Sequence, residues 1–312
     1  MDERFDIISI GESLIELSSD KSLTYAECLT KFYGGDTLCT AVAAARLGSK
    51  VGYITRVGND HFKDFLLESW QLEGLDISQI KLVDGYNGLY FIAREFDGEK
   101  EFSYYRKKTA ATKLSVDDIS EEYIKNAECV YSSGVTQSLS ISTKEAVEKA
   151  YKIGKENGVI NAYDPNFDSL LWTESEAFDA FESIQEYIDI IFLNLKQDGE
   201  TVFGVDNVDN LIKYFWDRSI RTVVVKSAAD GGYFLGIDGN ITFVDFWTKE
   251  VIDTTCSGDA FNGAFLHGYI CGLQPVEALK LASVVAGLQC QGIGAIKSIP
   301  YREKVESVYH VW

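Results

Sequence analysis

The hydrophobic positions of this chain follow two alternating patterns. Short apolar runs predict strands, which lie at 5–10, 51–58, 129–132, 159–163, 188–193 and 222–226. Segments with helical periodicity lie between them and predict helices at 36–47, 61–72, 140–157, 174–187, 206–219, 258–272 and 276–291. Because strands and helices alternate, we expect right-handed crossovers and a mostly parallel central sheet.

Two early segments depart from this alternation. Residues 21–33 and 87–106 alternate polar with apolar and aromatic side chains, which is typical of strands with one face in solvent. We interpret them as parts of a small β-sheet lid, built from segments 12–35 and 86–108. The rest of the chain predicts a single α/β domain, so the whole of 1–312 is expected to form one unit with this lid.

The composition limits the partners that the protein can have. Of its 312 residues, 46% are hydrophobic and 25% charged, and no apolar run approaches the roughly 20 residues of a membrane span. The formal net charge of −19 argues against a nucleic-acid partner, which requires a basic surface. The acidic N-terminus lacks a signal-peptide pattern, so we expect a soluble cytoplasmic protein. Six scattered cysteines and three histidines favour neither a zinc site nor a disulfide framework.

The most informative motif is the turn Asp-Thr-Thr-Cys-Ser-Gly-Asp at 253–259, which leads directly into a predicted helix. Backbone N–H groups at a helix start, together with the helix dipole, create a site for a phosphate group. Asp259 lies at the edge of this turn, where it can accept a proton from an attacking hydroxyl. The alternative is an ordinary loop capped by an acid.

A second motif, Gly34-Gly35-Asp36, precedes the alanine-rich helix predicted at 36–47. Two glycines let the backbone approach a ligand closely, and Asp36 can accept hydrogen bonds from hydroxyl groups. By itself the glycine pair is a weak signal, but together with the turn at 253–259 it becomes a strong one.

These two motifs resemble the signature regions of the PfkB, or ribokinase, family of carbohydrate kinases. The first region runs over 32–60 and the second over 253–266, where the usual core is Gly-Ala-Gly-Asp; the segment 164–166, Asn194 and Lys226 follow in the expected order. The resemblance covers nearly the whole chain. It implies a ribokinase-like three-layer α/β sandwich whose lid also forms a homodimer contact, and an enzyme that uses ATP and Mg²⁺ to phosphorylate a sugar hydroxyl.

The resemblance also implies roles for individual residues. Asp259 would be the base, and the N–H groups of Cys256, Ser257 and Gly258 would stabilise the charge of the transferred group. The residues implied beside the nucleotide are Asn194, Lys226, Ser227, Asp230, Gly231, Ala286 and Gln289. For Lys226, an ordinary salt bridge at a strand end is the alternative.

Within the family, the chain most resembles 2-keto-3-deoxygluconate kinases, at 34–38 and 104–115. The aromatic pair in the second segment would stack on the sugar, and Arg106 would bind a carboxylate or an open-chain ketone. The alternative for this segment is a surface strand with solvated basic residues. The substrate-binding residues implied are Gly34, Gly35, Asp36, Tyr90, Tyr105, Arg106 and Asp168.

Several positions depart from the family pattern. Cys39 stands where an asparagine commonly touches substrate, Cys256 where a small residue is usual, and Ala228 where a glycine is common. Asp168 replaces an arginine, and a carboxylate facing the pocket would repel a sugar acid. Gln197 replaces an acid that orients Mg²⁺ through water.

The Mg²⁺ ligands therefore stay undecided, and Asp198 or Glu200 could substitute for the missing acid after a local shift. The departures leave two alternatives to a sugar-acid kinase. One is a fructokinase-like kinase of a neutral sugar, and the other is a PfkB-fold protein with little kinase activity that binds a ligand or a partner.

Overall fold

The computed structural model describes residues 4–94, 100–248 and 250–309. Its strands are β1 (Phe5–Ile10), β2 (Leu14–Ser19), β3 (Thr30–Gly34), β4 (Val51–Ile54), β5 (Arg56–Gly58), β6 (Lys81–Val83), β7 (Gly88–Arg94), β8 (Lys100–Tyr105), β9 (Ala127–Ser133), β10 (Ile160–Asp164), β11 (Ile190–Asn194), β12 (Thr222–Ser227), β13 (Gly232–Ile237) and β14 (Asn240–Asp245). Its α-helices are α1 (Asp36–Leu47), α2 (Lys63–Leu72), α3 (Glu121–Lys125), α4 (Gly134–Ser138), α5 (Ile141–Glu156), α6 (Glu174–Glu182), α7 (Val208–Trp216), α8 (Ser257–Ile270), α9 (Pro275–Gln289) and α10 (Arg302–Tyr309).

Among these residues, an eight-stranded sheet has the order β14-β13-β12-β11-β10-β9-β1-β4. The pairings from β4 to β12 are all parallel, and β13 and β14 pair in antiparallel fashion at one edge. Side chains alternate between the two faces of a strand, so Ile7 packs with α1, α8 and α9 while Ile8 packs with α5 and α7. The predicted three-layer α/β sandwich with a mostly parallel sheet is confirmed.

A second, four-stranded sheet has the order β3-β2-β7-β8, and we call it the small sheet. It contains most of the predicted lid segments, although residues 95–99 lie outside the described part of the chain. The strand predicted at 21–33 was wrong in position, because strands lie at 14–19 and 30–34 with a loop between them. The alternation of polar and apolar residues did not reveal β2, because this strand lies between two neighbouring strands and is mostly buried, so it has no solvent-facing side with polar residues.

Six of the strands and helices given above were not predicted, namely β6, α3, α4, α10 and the two edge strands β13 and β14. The two strands form a hairpin whose turn contains Asp238 and Gly239, with φ angles of 50° and 79°. An Asp-Gly pair between apolar segments is a strong hairpin signal, and it was present in the sequence. In the described parts of the chain, no helix combines the length and apolarity needed to cross a membrane.

Candidate active site

A cavity of about 340 Å³ lies between the small sheet and the carboxyl ends of the central strands. Asp36 at the start of α1 and Asp259 in the first turn of α8 line one side of it. Tyr90 and Tyr104 of the small sheet line the other side, and Asp168 lies in the loop that follows β10. The fold therefore brings the two sequence motifs together, although more than 200 residues separate them.

The loop before α8 is held by two buried side chains, Asp253 and Gln289. Both carboxylate oxygens of Asp253 accept hydrogen bonds, one from Thr255 N at 3.0 Å and the other from Gly294 N at 3.1 Å. Gln289 Nε2 donates to the Thr255 carbonyl at 2.6 Å. The first N–H groups of a helix have no intrahelical acceptor and remain available to a ligand. Ser257 is the exception among the predicted amides, because its N–H donates to Thr254 O at 3.1 Å.

Asp259 is the third residue of α8 and faces the cavity. Burial, reinforced by the neighbouring Asp36 carboxylate, raises the pKa of Asp259 well above its usual range, while the positive charge of Lys226 opposes this shift. Thr40 Oγ1 donates to the main-chain oxygen of Asp259 at 3.0 Å and so ties α1 to α8. A carboxylate with a raised pKa is a stronger proton acceptor than an exposed one.

The turn before α1 needs its glycine. Gly35 has φ 135°, and a Cβ there would lie 2.4 Å from the Glu12 carbonyl oxygen. Only glycine avoids both the strained backbone and this clash. Asp36 follows directly, and its Oδ2 atom is buried without a hydrogen-bond partner among the described residues. An unsatisfied acceptor next to a cavity suits a hydroxyl donor from a ligand.

Arg106 lines the cavity but is not a free cation. Its Nη2 lies 2.6 Å from Glu12 Oε2, and its Nε donates to the same oxygen at 2.9 Å. Both side chains are buried, and burial raises the pKa of Glu12 more than Arg106 lowers it. The structure therefore differs from the expected carboxylate-binding arginine, because a partner that the sequence did not reveal already neutralises the charge.

Tyr104, and not Tyr105, faces the cavity. Its ring lies 5.8 Å from that of Tyr90, the residue it pairs with across β7 and β8. Tyr105 is 61% exposed on the opposite face and packs against Phe91 at 5.5 Å. Of the predicted aromatic pair, Tyr104 therefore lines the cavity and Tyr105 does not, because adjacent strand residues point to opposite faces. Tyr90 was predicted and lines the cavity, where its hydroxyl also donates to Glu16.

Lys226 lies at the end of β12 and is held by two side chains. Its Nζ donates to Asp164 Oδ2 at 2.8 Å and to Asn262 Oδ1 at 3.3 Å, so it does form a salt bridge at the strand end. Asn262 Nδ2 donates to the same Asp164 oxygen at 2.7 Å. The ammonium also lies beneath the start of α8, where a Cβ built on Gly258 would be 3.6 Å from it.

A second recess, which we call the cleft, has a volume of about 630 Å³ and opens beside the ends of β11 and β12. Asn194, Lys226 and Ser227 line it, as expected for a nucleotide site, and Asp168 and Gln197 belong to both the cleft and the cavity. The turn between β12 and β13 begins at Ser227, whose Oγ donates to Asp230 Oδ2 at 2.6 Å. Gly231 in this turn has φ 73°.

Ala286 and Gln289 were expected to flank an adenine, but the structure buries both side chains in the core. They lie on α9, which packs against α8, so they are covered by protein. Position along the chain alone could not reveal this burial.

The sequence profile of the pfkB family of carbohydrate kinases matches residues 4–302. The chain belongs to this family. The 2-dehydro-3-deoxygluconokinase of Escherichia coli K12 is 31% identical, with 93% of this chain and 96% of that protein covered. The fructokinase-1 of Zea mays is 30% identical over 96% of each chain. The 5-dehydro-2-deoxygluconokinase of Clostridium perfringens is 28% identical, covering 97% of this chain and 92% of that protein.

Solved structures share the fold over nearly the whole chain. A PfkB protein from Polaromonas sp. JS666 superposes with a TM-score of 0.88 at 25% identity, covering 97% of this chain and all of that one. The fructokinase of Xylella fastidiosa, solved with bound ATP, gives 0.85 at 23% identity over 98% of each chain. The protein is thus a carbohydrate kinase with the ribokinase-like architecture.

In this pfkB kinase, the segment Leu195–Glu200 forms a π-helical turn. This turn contains Gln197 as well as Asp198 and Glu200, the two acids considered as substitutes for the acid that Gln197 replaces. Asp198 is buried and accepts hydrogen bonds from Asn194 N at 2.7 Å and Phe167 N at 3.0 Å. Burial, together with the nearby Asp164, raises the pKa of Asp198 to about 7. Glu200 is exposed and lines the cleft, so it is the acid of this turn that a ligand can reach.

Two residues of the kinase site were missed from the sequence, Glu12 and Asn262, and the pair Tyr104 and Tyr105 could not be resolved into the member that faces the cavity. Glu12 follows a strand end at the edge where ligands bind, so its position was a usable signal. Tyr104 required the register of the small sheet, and Asn262 required the packing of α8 against the strand ends.

Proposed function

We propose that this kinase transfers the γ-phosphoryl group of ATP to a sugar hydroxyl, with the sugar in the cavity and the nucleotide in the cleft. The single observation that carries the proposal is the position of Asp259, a carboxylate of raised pKa in the first turn of α8, facing the cavity. The cation of Lys226 lies behind the same helix start and lines the cleft.

The reaction follows from this arrangement. Asp259 takes the proton of the sugar hydroxyl while that oxygen bonds to the γ-phosphorus, and the bond from phosphorus to the oxygen of ADP breaks. The N–H groups of Cys256 and Gly258 and the dipole of α8 stabilise the negative charge that spreads over the transferred group. Ser257 contributes less, because its N–H already donates to Thr254.

The cleft also fits Mg²⁺, whose preferred ligands are oxygen atoms. Asp168 and Glu200 bring carboxylates to its lining, and Asp198 is buried behind it. When bound, Mg²⁺ would neutralise charge on the ATP phosphates. Asp168 lies where the cavity and the cleft meet, which is where the transferred phosphate would be.

For the substrate, we propose 2-keto-3-deoxygluconate or a related keto-deoxy sugar acid, because relatives similar over nearly the whole chain act on such compounds. A neutral sugar such as fructose is the second candidate. Two contacts favour it: Arg106 is neutralised by Glu12, and Asp168 faces the cavity.

The deciding experiment measures ADP formation with 2-keto-3-deoxygluconate, 5-keto-2-deoxygluconate and fructose, with the product identified by mass spectrometry. Turnover on an acid supports the first candidate, and turnover on fructose alone supports the second. Thermal stabilisation by ATP and sugar without any ADP formation would contradict the kinase proposal. Asp168→Asn is the matched variant, and it should improve turnover of an acid only if Asp168 repels the substrate carboxylate.

We also propose that the small sheet closes over the cavity and forms a homodimer contact. Its outer face carries Tyr105, exposed to 61%. Sedimentation of the wild-type protein should then give a dimer, and Tyr105→Glu should shift it toward the monomer. A wild-type monomer at all concentrations would contradict the dimer.

A further inference from the structure

Two cysteine side chains meet beside Asp259. Cys39 lies in the first turn of α1 and Cys256 caps the start of α8. The two Sγ atoms and a carboxylate oxygen of Asp259 all lie within 4.8 Å of one another. The packing of α1 on α8 brings them together, so the scattered cysteine spacing that argued against a zinc site could not reveal this cluster.

The backbone of Cys256 adds a second observation. It has φ 60° and ψ 10°, a left-handed conformation that is strained for a residue with a side chain. The phosphate site needs only the amide of this residue, which a glycine would supply without strain. What cysteine adds is its thiol. Strain of this kind is characteristic of functional positions.

We propose that Cys39, Cys256 and Asp259 form a site for a thiophilic divalent metal ion such as Zn²⁺, open toward the sugar cavity. Zn²⁺ binds thiolate sulfur at about 2.3 Å and carboxylate oxygen at about 2.0–2.2 Å, so its ligand atoms lie about 3.5–4 Å apart in a tetrahedron. Since no pair of these atoms is more than 4.8 Å apart, binding needs a contraction of at most about 1.3 Å.

The surroundings decide the coordination. Cys39 is fully buried, while Cys256 and Asp259 line the cavity. Three protein ligands therefore hold the ion, and a water molecule or a sugar hydroxyl takes the fourth position from the cavity side. Mg²⁺ prefers oxygen ligands and is a poor competitor for two thiolates.

The bound ion has a consequence for catalysis. A metal on Asp259 removes the lone pair with which this carboxylate accepts the substrate proton. Zn²⁺ then inhibits the kinase, and this effect, unlike the binding itself, rests on the proposed role of Asp259.

The test measures metal binding without ATP or sugar. The reference protein is Cys28→Ser/Cys271→Ser, which lacks the exposed thiols, including the one whose Sγ lies 3.8 Å from His267 Nδ1. Equilibrium dialysis against buffered free Zn²⁺ should give one tight equivalent, and Cd²⁺ should produce the ultraviolet absorbance of cadmium–thiolate bonds. Adding Cys39→Ser should weaken binding at least about tenfold, since even groups that only support metal ligands are worth that much.

Cys256→Gly should weaken Zn²⁺ binding similarly, and it removes the backbone strain, so its folding is favoured if Cys39→Ser proves unstable. Cys129→Ser is the matched control, because Cys129 is equally buried but remote on β9, and it should leave binding unchanged. Unchanged stoichiometry and affinity in folded Cys39→Ser or Cys256→Gly would overturn the site. Zn²⁺ binding that leaves phosphoryl transfer unaffected supports the site and contradicts Asp259 as the base.

Discussion

The cavity and the cleft meet at Asp168, but they differ in the charged groups that they present to a ligand. In the cavity, Glu12 neutralises Arg106, and burial raises the pKa of both Asp36 and Asp259, the latter also through the nearby Asp36 carboxylate. The cleft holds Lys226, whose ammonium donates to Asp164 and lies beneath the start of α8, while the turn that begins α8 lines the cavity. The cavity therefore offers acceptors for hydroxyl groups, and the cleft offers donors for phosphate. Phosphoryl transfer from the cleft to the cavity uses both.

The largest effect is expected when the proton acceptor of the cavity is removed. Asp259→Asn should lower kcat by about 10²–10⁴-fold, which is the usual contribution of a general base. KM for the sugar should change little, because the amide keeps the size of the carboxylate. Steady-state kinetics measure both constants.

Asp36→Asn is the matched variant, since it alters the other cavity carboxylate. Its main effect should be a higher KM for the sugar, because Asp36 is expected to accept a hydroxyl and not to take the proton. Near-wild-type kcat in Asp259→Asn, or equal kcat losses in both variants, would remove the proposed division of roles.

The next prediction tests whether Arg106 stabilises the fold by pairing with Glu12. Arg106→Met should lower the free energy of unfolding by about 3–5 kcal/mol, because it leaves Glu12 as a buried, unpaired carboxyl. The double variant Glu12→Gln/Arg106→Met should recover much of this loss. Urea denaturation gives the comparison. If the single and double variants were equally unstable, the ion pair would not be the reason for Arg106.

Local patterns predicted the parts of the site that depend on a single segment. The turn at 253–259 and the glycines before α1 were found because their chemistry lies in consecutive residues. Asn194 and Lys226 fall at the carboxyl ends of predicted strands, where parallel sheets bind ligands, and the family resemblance implied them and Ser227 beside the nucleotide. The six parallel strands of the central sheet were predicted for the same reason, since each has its own apolar run, whereas its antiparallel edge strands β13 and β14 were not.

What depended on pairing between distant segments could not be predicted. The Glu12–Arg106 pair and the Cys39–Cys256 contact join residues whose separation along the chain carries no signal. The choice between Tyr104 and Tyr105 depends on the register of β7 and β8. A shift of one residue exchanges the faces of a strand.

Because Tyr104 and Tyr105 lie on opposite faces of β8, a pair of matched variants tests which face of the small sheet contacts the sugar. The expected effect is smaller than those above. Tyr104→Ala should raise KM for the sugar about 2–10-fold, corresponding to the roughly 0.5–1.5 kcal/mol of an aromatic contact. Tyr105→Ala removes the same ring from the outer face and should leave sugar KM unchanged. The reverse result would mean that the sugar binds outside the cavity.

The last prediction concerns the support of the cleft by Asp198. Its pKa is raised from 3.8 to about 7, so the folded state holds this proton more tightly than the unfolded state does. Stability should therefore fall as pH rises through the range between these two values. Asp198→Asn removes this contribution but loses one acceptor for Asn194 N or Phe167 N, which costs about 1–3 kcal/mol.

Chemical denaturation at about pH 5 and about pH 8 tests the sign of this linkage. The free energy of unfolding should drop more steeply in the wild type than in Asp198→Asn, although Asp36 and Asp259 retain slopes of the same sign in both proteins. Parallel curves would show that Asp198 stays ionised behind the cleft. It would then add a negative charge next to the site proposed for Mg²⁺, and the contrast between an acidic cavity and a phosphate-binding cleft would be weaker.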